Sequence, residues 1–199
     1  MGDKYQRKSL REQTQIYHFT ELSNLDTIIT YGLLSRAEMK EKGLLFEDVA
    51  DPQMLDARKD YSLEKCVPFH FMGNSPFAGK VRDNHPCYDF IYLAISRDTA
   101  RFLKFMIAPT HPRHMEYFQP YEFDEGIKVI DWVTMDRRDY TDYECKEVCM
   151  AECLSYKAIS IEYFNAIYVK NQEIKDIVED KLYENNLNRI HVNLMPQWF

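Results

Sequence analysis

Glu152 is the carboxylate whose surroundings most suggest chemistry. It stands where a charged stretch, residues 139–148, gives way to an apolar run, residues 153–161. A lone carboxylate there reads first as a strand-edge charge. Its company changes that reading. His18 and Thr20 lie within Tyr17-His18-Phe19-Thr20, and His70 lies within Val67-Pro68-Phe69-His70-Phe71, followed by Asn74-Ser75-Pro76. Two other constellations point less clearly to chemistry. Cys145, Cys149 and Cys153 fall at i, i+4 and i+8, one stripe of a continuing helix, but zinc and iron–sulfur sites use tighter Cys-x-x-Cys pairs. Buried thiols are the simpler reading. His111-Pro112-Arg113-His114 could touch a metal or a phosphate, or form a solvated loop. None of the histidines forms His-Glu-x-x-His, and no metal is expected. Glycine numbers six in 199 residues, about half the usual share of roughly 7%. Neither a Gly-x-Gly-x-x-Gly nor a Gly-x-x-x-x-Gly-Lys-Ser/Thr motif occurs, so any nucleotide must rest in another cradle.

The elements that must position these residues follow from patterning. Residues 1–14 are polar and basic and read as a tail or frayed helix, leaving 15–199 as a single domain. Residues 16–20 alternate as a strand, followed by a helix capped by Ser23, with Leu25, Ile28, Ile29 and Leu33 on one face and Gly32 at its stop. Short helices are expected near 36–42 and 52–60. Strands are expected at 67–71, 90–95, 153–161, 167–169 and 190–194. A turn is expected at 73–76, helices at 98–104 and 176–184, a weakly helical stretch at 139–148, and irregular chain at 105–126. Residues 127–133 suit either a short strand or a helix. The sum is a mixed α+β domain with short strands. Apolar residues make up 45% and aromatics 14%, enough for a core. The odd count of five cysteines suggests a reducing, cytoplasmic setting; the first 30 residues show no leader, and no apolar run approaches membrane-spanning length.

In this order and spacing the blocks resemble the DarT family of NAD-dependent nucleic-acid ADP-ribosyltransferase toxins. Tyr17-His18-Phe19-Thr20, Asn24-Leu25 and Gly32-Leu33-Leu34 look like the family's first strand, helix and turn. Val67-Pro68-Phe69 and Ser75-Pro76 look like its second strand and loop. Ala151-Glu152, with Ile167-Tyr168-Val169 after it, looks like its catalytic-glutamate segment, and Trp198-Phe199 resembles its aromatic end. The resemblance implies an ADP-ribosyltransferase-like fold, with two small packed sheets, flanking helices and a split cleft that grips NAD without a glycine motif. It implies NAD contacts from His18, Phe19 (through its backbone), Thr20, Thr27 and Arg58. Glu152 would hydrogen-bond the ribose 2′-hydroxyl and stabilise the oxocarbenium-like centre where charge develops. Arg58 would be the second catalytic residue, a cation near the phosphates and the reacting base. Phe71 could stack the nicotinamide or pack in the core. The chain departs from the family at His70 (often Tyr), Asn74 (often Arg) and Met150 (commonly Gln). Met150 cannot accept the hydrogen bonds of a target guanidinium, which counts against protein-arginine modification.

The implied activity is transfer of ADP-ribose from NAD to a base of single-stranded DNA. Single-stranded RNA is the alternative, and a non-catalytic NAD- or partner-binding module is a second. A duplex base could not enter such a cleft without extrusion. By resemblance, a macrodomain-type antitoxin is the expected protein partner. Taken as a sum, the net charge of −7 opposes nucleic acid, but it is unevenly spread. Residues 115–152 hold 11 acids against 4 bases, and the remainder is balanced at 21 of each. Just upstream lie Arg97, Arg101, Lys104 and Arg113. A strand passing that basic edge is compatible with the charge, while the acidic stretch reads as a solvated face, a substrate-facing loop or an antitoxin surface.

Overall fold

The computed structural model describes residues 8–49, 62–111 and 119–199. Among the described residues eight strands form one sheet: β1 (Gln15–Glu21), β2 (Val67–His70), β3 (Phe90–Ser96), β4 (Met106–Ala108), β5 (Tyr121–Glu122), β6 (Glu152–Ser155), β7 (Ala166–Val169) and β8 (His191–Leu194). Their order is β5-β4-β6-β2-β1-β3-β7-β8, antiparallel throughout except for the β7–β8 pair.

The two sheets expected from sequence are two halves of this one sheet. β1 and β3 pair along their whole length, and β2 pairs along its whole length with β6. Between the halves, β1 and β2 share a single register pair, Tyr17 with His70. Backbone parity explains the split. Leu22 N–H donates to the Asp89 carbonyl, so the even-numbered residues of β1 bond β3 and Tyr17 and Phe19 turn their main-chain groups toward β2. Continuing the Tyr17–His70 register sets Phe19 opposite Pro68, which has no N–H to give. The His18 ring bridges the gap instead, with Nδ1 2.8 Å from the Pro68 carbonyl oxygen.

Alternation along the strands sends side chains to two cores. One face carries Ile16, Phe69, Leu93, Ile95, Ile107, Cys153 and Ile167, packed with Phe105, Phe164 and the helices α1 (Leu25–Tyr31) and α8 (Gln172–Glu184). The other face is aromatic: Tyr17, Phe19, Phe90 and Tyr92 meet Trp198, Phe199 and α3 (Pro76–Asn84). Between α1 and α3 lies α2 (Arg36–Glu41), closed by a Ser35–Glu38 capping box. The remaining described helices are α4 (Arg97–Phe102), α5 (Phe123–Val129), α6 (Trp132–Arg137) and α7 (Tyr143–Val148).

Several local expectations change. Asn24, not Ser23, is the residue before α1, and Gly32 ends it at φ +79. A Cβ on Gly32 would sit 2.8 Å from the Ile159 carbonyl, because Leu33 bridges Ile159 there. Residues 73–76 are a turn, and it opens α3: Ser75 caps it and Pro76 takes the first helical position. The stretch expected to be irregular contains β4, β5 and the start of α5. The strand expected over 153–161 ends at Ser155. The basic tail is docked from Ser9 on: Ser9 Oγ and Leu10 N–H both donate to Asp136, and Leu10 is 1% exposed. The helix expected near 52–60 lies outside the described residues.

Candidate active site

Where β1 and β2 part, the sheet opens into a cleft of about 420 Å³. That size suits a ligand of several hundred daltons. His18, Phe19 and Thr20 of β1 form one edge, Val67, Pro68 and His70 of β2 the other. Thr27 of α1 and Phe77, Lys80 and Asn84 of α3 wall it, and Tyr143, Lys146, Glu147, Met150 and Glu152 close it.

Glu152 is the first residue of β6 and is 4% exposed. Register puts it directly opposite His70 on β2 and Ala108 on β4. Directly opposed residues of antiparallel strands project to the same side, so the carboxylate and the His70 imidazole share one face of the sheet. His70 stacks on Phe77 with ring centroids 5.2 Å apart. A buried carboxylate is costly unless it has partners or a ligand to serve, and this one lines the cleft.

On the opposite edge His18 is held neutral. Burial pushes its pKa down to about 4, against a raising effect from the Pro68 carbonyl and a further lowering one from His70. A carbonyl only accepts, so Nδ1 carries the proton and Nε2 is the acceptor. The Thr20 hydroxyl accepts from Asn24 Nδ2 at 3.0 Å, which leaves its own proton to give. Asn24 also clasps the Glu47 backbone, donating to its carbonyl at 3.2 Å and accepting from its N–H at 2.9 Å. Arg36 chelates Asp48 beside this clasp, with two bonds of 2.7 Å. The loop carrying Glu47 and Asp48 is thereby fixed against the cleft.

Of the residues singled out from sequence, Glu152, His18, Phe19, Thr20 and Thr27 all line this one cleft. Arg58 lies outside the described residues. Phe71 is not at the cleft: it packs edge-on against Trp132, with the Arg97 guanidinium 5.2 Å from its ring centre. The cysteine stripe does not form, because α7 ends at Val148 and Cys153 belongs to β6. Cys145 and Cys149 give their thiols to the carbonyls of Thr134 and Met135, and burial pushes Cys149 up to about 12. Among the described residues no cluster of three or more His, Cys, Asp and Glu side chains could hold a metal.

Of the four residues of the basic edge expected upstream, Arg97 and Arg101 are committed within the fold, Lys104 is exposed, and Arg113 lies outside the described residues. Arg97 donates to the carbonyls of Leu10 and Arg11 and lies over Phe71 and Trp132, where burial lowers its pKa to about 10. Arg101 pairs with Asp98 and Asp124. Much of the acidic stretch is likewise structural, with Asp131 and Asp142 capping α6 and α7. Its last turn reaches the cleft through Glu147 and Glu152.

Sequence reasoning missed Phe77, Lys80 and Asn84 because it read a turn at 73–76 and no helix after it. The signal was present in Ser75-Pro76, a cap followed by proline at the first helical position. It also missed Tyr143 and Lys146, whose place in the cleft follows only from how α7 packs.

Comparison with known proteins places this cleft in context. A family profile described as "DarT: ssDNA thymidine ADP-ribosyltransferase, DarT" matches residues 17–199. A DNA ADP-ribosyl transferase–DNA ADP-ribosyl glycohydrolase fusion protein from Thermosipho africanus (strain H17ap60334) is 22% identical over 183 residues, covering 87% of this chain and 47% of the relative. The chain thus spans about half the length of that curated relative. Among solved structures, Thermus sp. 2.9 DarT in complex with ADP-ribosylated ssDNA superposes with a TM-score of 0.83 at 22% identity, covering 97% of this chain and 99% of that one. The same Thermus protein in complex with NAD+ gives 0.72 at 21% identity, over 94% and 98% of the two chains. At this identity the superpositions establish a shared fold. Among the described residues no helix is long and apolar enough to cross a membrane.

Proposed function

Because the chain belongs to the DarT family of ssDNA thymidine ADP-ribosyltransferases, we propose that it transfers ADP-ribose from NAD to a base of single-stranded DNA, with loss of nicotinamide. The observation that carries this reading is the buried Glu152 carboxylate in a cleft whose far edge presents His18 and Thr20.

The donor set suits NAD. Neutral His18 offers an acceptor at Nε2, Thr20 a hydroxyl proton, and Phe19 the main-chain carbonyl that Pro68, lacking an N–H, cannot serve. These are partners for ribose hydroxyls and a carboxamide, and none of them requires a glycine cradle. NAD supplies the ADP-ribosyl group and its leaving base. Glu152 accepts a hydrogen bond from the adjacent ribose 2′-hydroxyl and stabilises positive charge growing at the anomeric carbon. Arg58 is the second catalytic group, a cation near the phosphates and the acceptor. Thr27 is a further NAD contact on the α1 wall. The cleft holds the acceptor base on the open side, where orientation does much of the work.

The chain acts as the toxin of a toxin–antitoxin pair in the cytoplasm, opposed by a macrodomain-type antitoxin that strips ADP-ribose. The glycohydrolase fused to the Thermosipho relative's transferase supports that pairing. The family's description makes thymidine the first base to test.

The test incubates the wild type and Glu152→Gln with labelled NAD and matched DNA and RNA oligonucleotides. Label on the DNA strand, lost in the variant, is expected. Equal labelling by both proteins sinks the assignment of Glu152. Label on RNA alone moves the substrate to RNA, and label on protein alone rejects both nucleic acids.

A further inference from the structure

Two lysines line the cleft from different helices, Lys80 on α3 and Lys146 on α7. Both are exposed, and among the described residues neither makes an ion pair. The third described cation of the cleft, Arg36, is bound at both nitrogens by Asp48. Elsewhere Arg97 is held beneath aromatic rings and Arg101, Lys128, Arg137, Lys170, Lys181 and Arg189 are each paired with a carboxylate, while the exposed Lys40, Lys42, Lys65, Lys104 and Lys157, which also make no ion pair among the described residues, lie away from the cleft. Cations left without a counter-ion at the mouth of a site mark where it meets an anionic partner.

We propose that Lys80 and Lys146 each hold a backbone phosphate of the acceptor strand, on either side of the nucleotide presented to Glu152. This inference rests on the transferase reading above and names how the strand is gripped. α3 is built for its share of the task. Residues 77, 80, 81 and 84 fall on one helical face. Phe77 and Val81 anchor that face to the aromatic core, and Phe77 stacks on His70, the cross-strand neighbour of Glu152. Lys80 and Asn84, one turn apart on the same face, meet the cleft at its rim. A phosphate at Lys80 is therefore one helical turn from the ring that covers the catalytic edge. Lys146 is the corresponding cation beside Met150 and Glu147. The acidic groups around α7 disfavour broad contact with a polyanion and restrict it to these points.

The dinucleotide also carries phosphates, so the experiment separates the two sources. Binding of a fluorescent single-stranded oligonucleotide to the full chain is followed by anisotropy across a salt series without NAD, alongside KM values for NAD and for the oligonucleotide. Each phosphate neutralised on a single strand contributes about 0.7 to the slope of log affinity against log salt. Lys80→Gln and Lys146→Gln should each flatten the slope by about that amount, and the double variant by about 1.4. KM for the oligonucleotide should rise and KM for NAD should hold, while Lys80→Arg keeps the slope. Lys104→Gln, on the basic edge but away from the cleft, should leave the slope unchanged. Unaltered slopes in both cleft variants overturn the proposal. So does a rise in KM for NAD alone, which would assign the lysines to the dinucleotide. Because binding is read without turnover, a wild type that grips DNA through these lysines yet labels none would refute the function and leave the grip standing.

Discussion

The two halves of the sheet are built to different standards. In the half formed by β1, β3, β7 and β8, the two seven-residue strands β1 and β3 pair end to end, and β3 is buried on both faces from Phe90 to Ile95. In the half formed by β5, β4, β6 and β2 no strand exceeds four residues, yet this half supplies Glu152 and His70. The long half is a template whose order comes from continuous pairing. The short half takes its order from what it packs against, which leaves its strand ends free to present polar groups. The cleft opens where, among the described residues, neither half completes the other's hydrogen bonding.

Four measurements test this contrast. The largest effect should come from Phe164, which precedes β7 in the long half and stacks on Phe69 of the short half with centroids 6.4 Å apart. Phe164→Ala should cost about 3–5 kcal/mol in chemical denaturation. A loss below about 1 kcal/mol would show that the halves are stabilised independently. Next, Glu152→Gln should lower the transfer rate by about 10²–10³-fold, worth about 2.7–4 kcal/mol of barrier. The melting temperature should hardly move, since the substitution keeps the size of the side chain and one of its two acceptor oxygens. A large drop would make Glu152 a structural member of the short half.

Third, Gly32→Ala should destabilise by about 1–3 kcal/mol, because an L side chain meets both a positive φ and the Ile159 carbonyl. Transfer activity of the remaining folded protein should be retained, and its loss would tie the Leu33–Ile159 bridge to the site. The smallest effect is in pH. The pKa of His18 is depressed in the folded chain, from 6.5 to about 4, so the unfolded chain binds more protons between those values. Stability from neutral His18 is therefore complete above about pH 6.5 and falls as the pH drops toward 4, with a slope of at most about 1.4 kcal/mol per pH unit. His18→Gln should flatten that slope in urea titrations run from pH 7 to 4.5. An unchanged slope would place the acid sensitivity elsewhere.

What could be read from sequence follows the same division. The long half announced itself: β1, β3 and β7 are local patterns of apolar and β-branched residues, and all three were legible. β4 was not, because Met106–Ala108 is too short to show a period and becomes a strand only by lying against β6. Arg97 looked like part of a nucleic-acid edge, since its sequence neighbours are charged; its burial over Phe71 and Trp132 is a tertiary fact. Glu152, His18 and Thr20 were singled out by the order of blocks in which they sit, and the fold brings all three to one cleft. Lys80 and Lys146 were not, because what sets them apart is a place at the cleft without a counter-ion, and both are assigned only by the fold. The split itself was half legible. Pro68 is visible in the sequence, but that it faces Phe19 is a matter of register.

A sheet joined at one rung behaves as two plates on a hinge. Between the plates the described hydrogen bonding is that rung and the His18–Pro68 bond, and Phe69, packed on Phe164 and beside His18, is the apolar contact about which they would turn. An occupant bonded to both rims would act as a splint. Its signature would appear in amide hydrogen exchange, as slowed exchange at Phe19 and along β2, while β3 and β7, already locked, would register almost nothing.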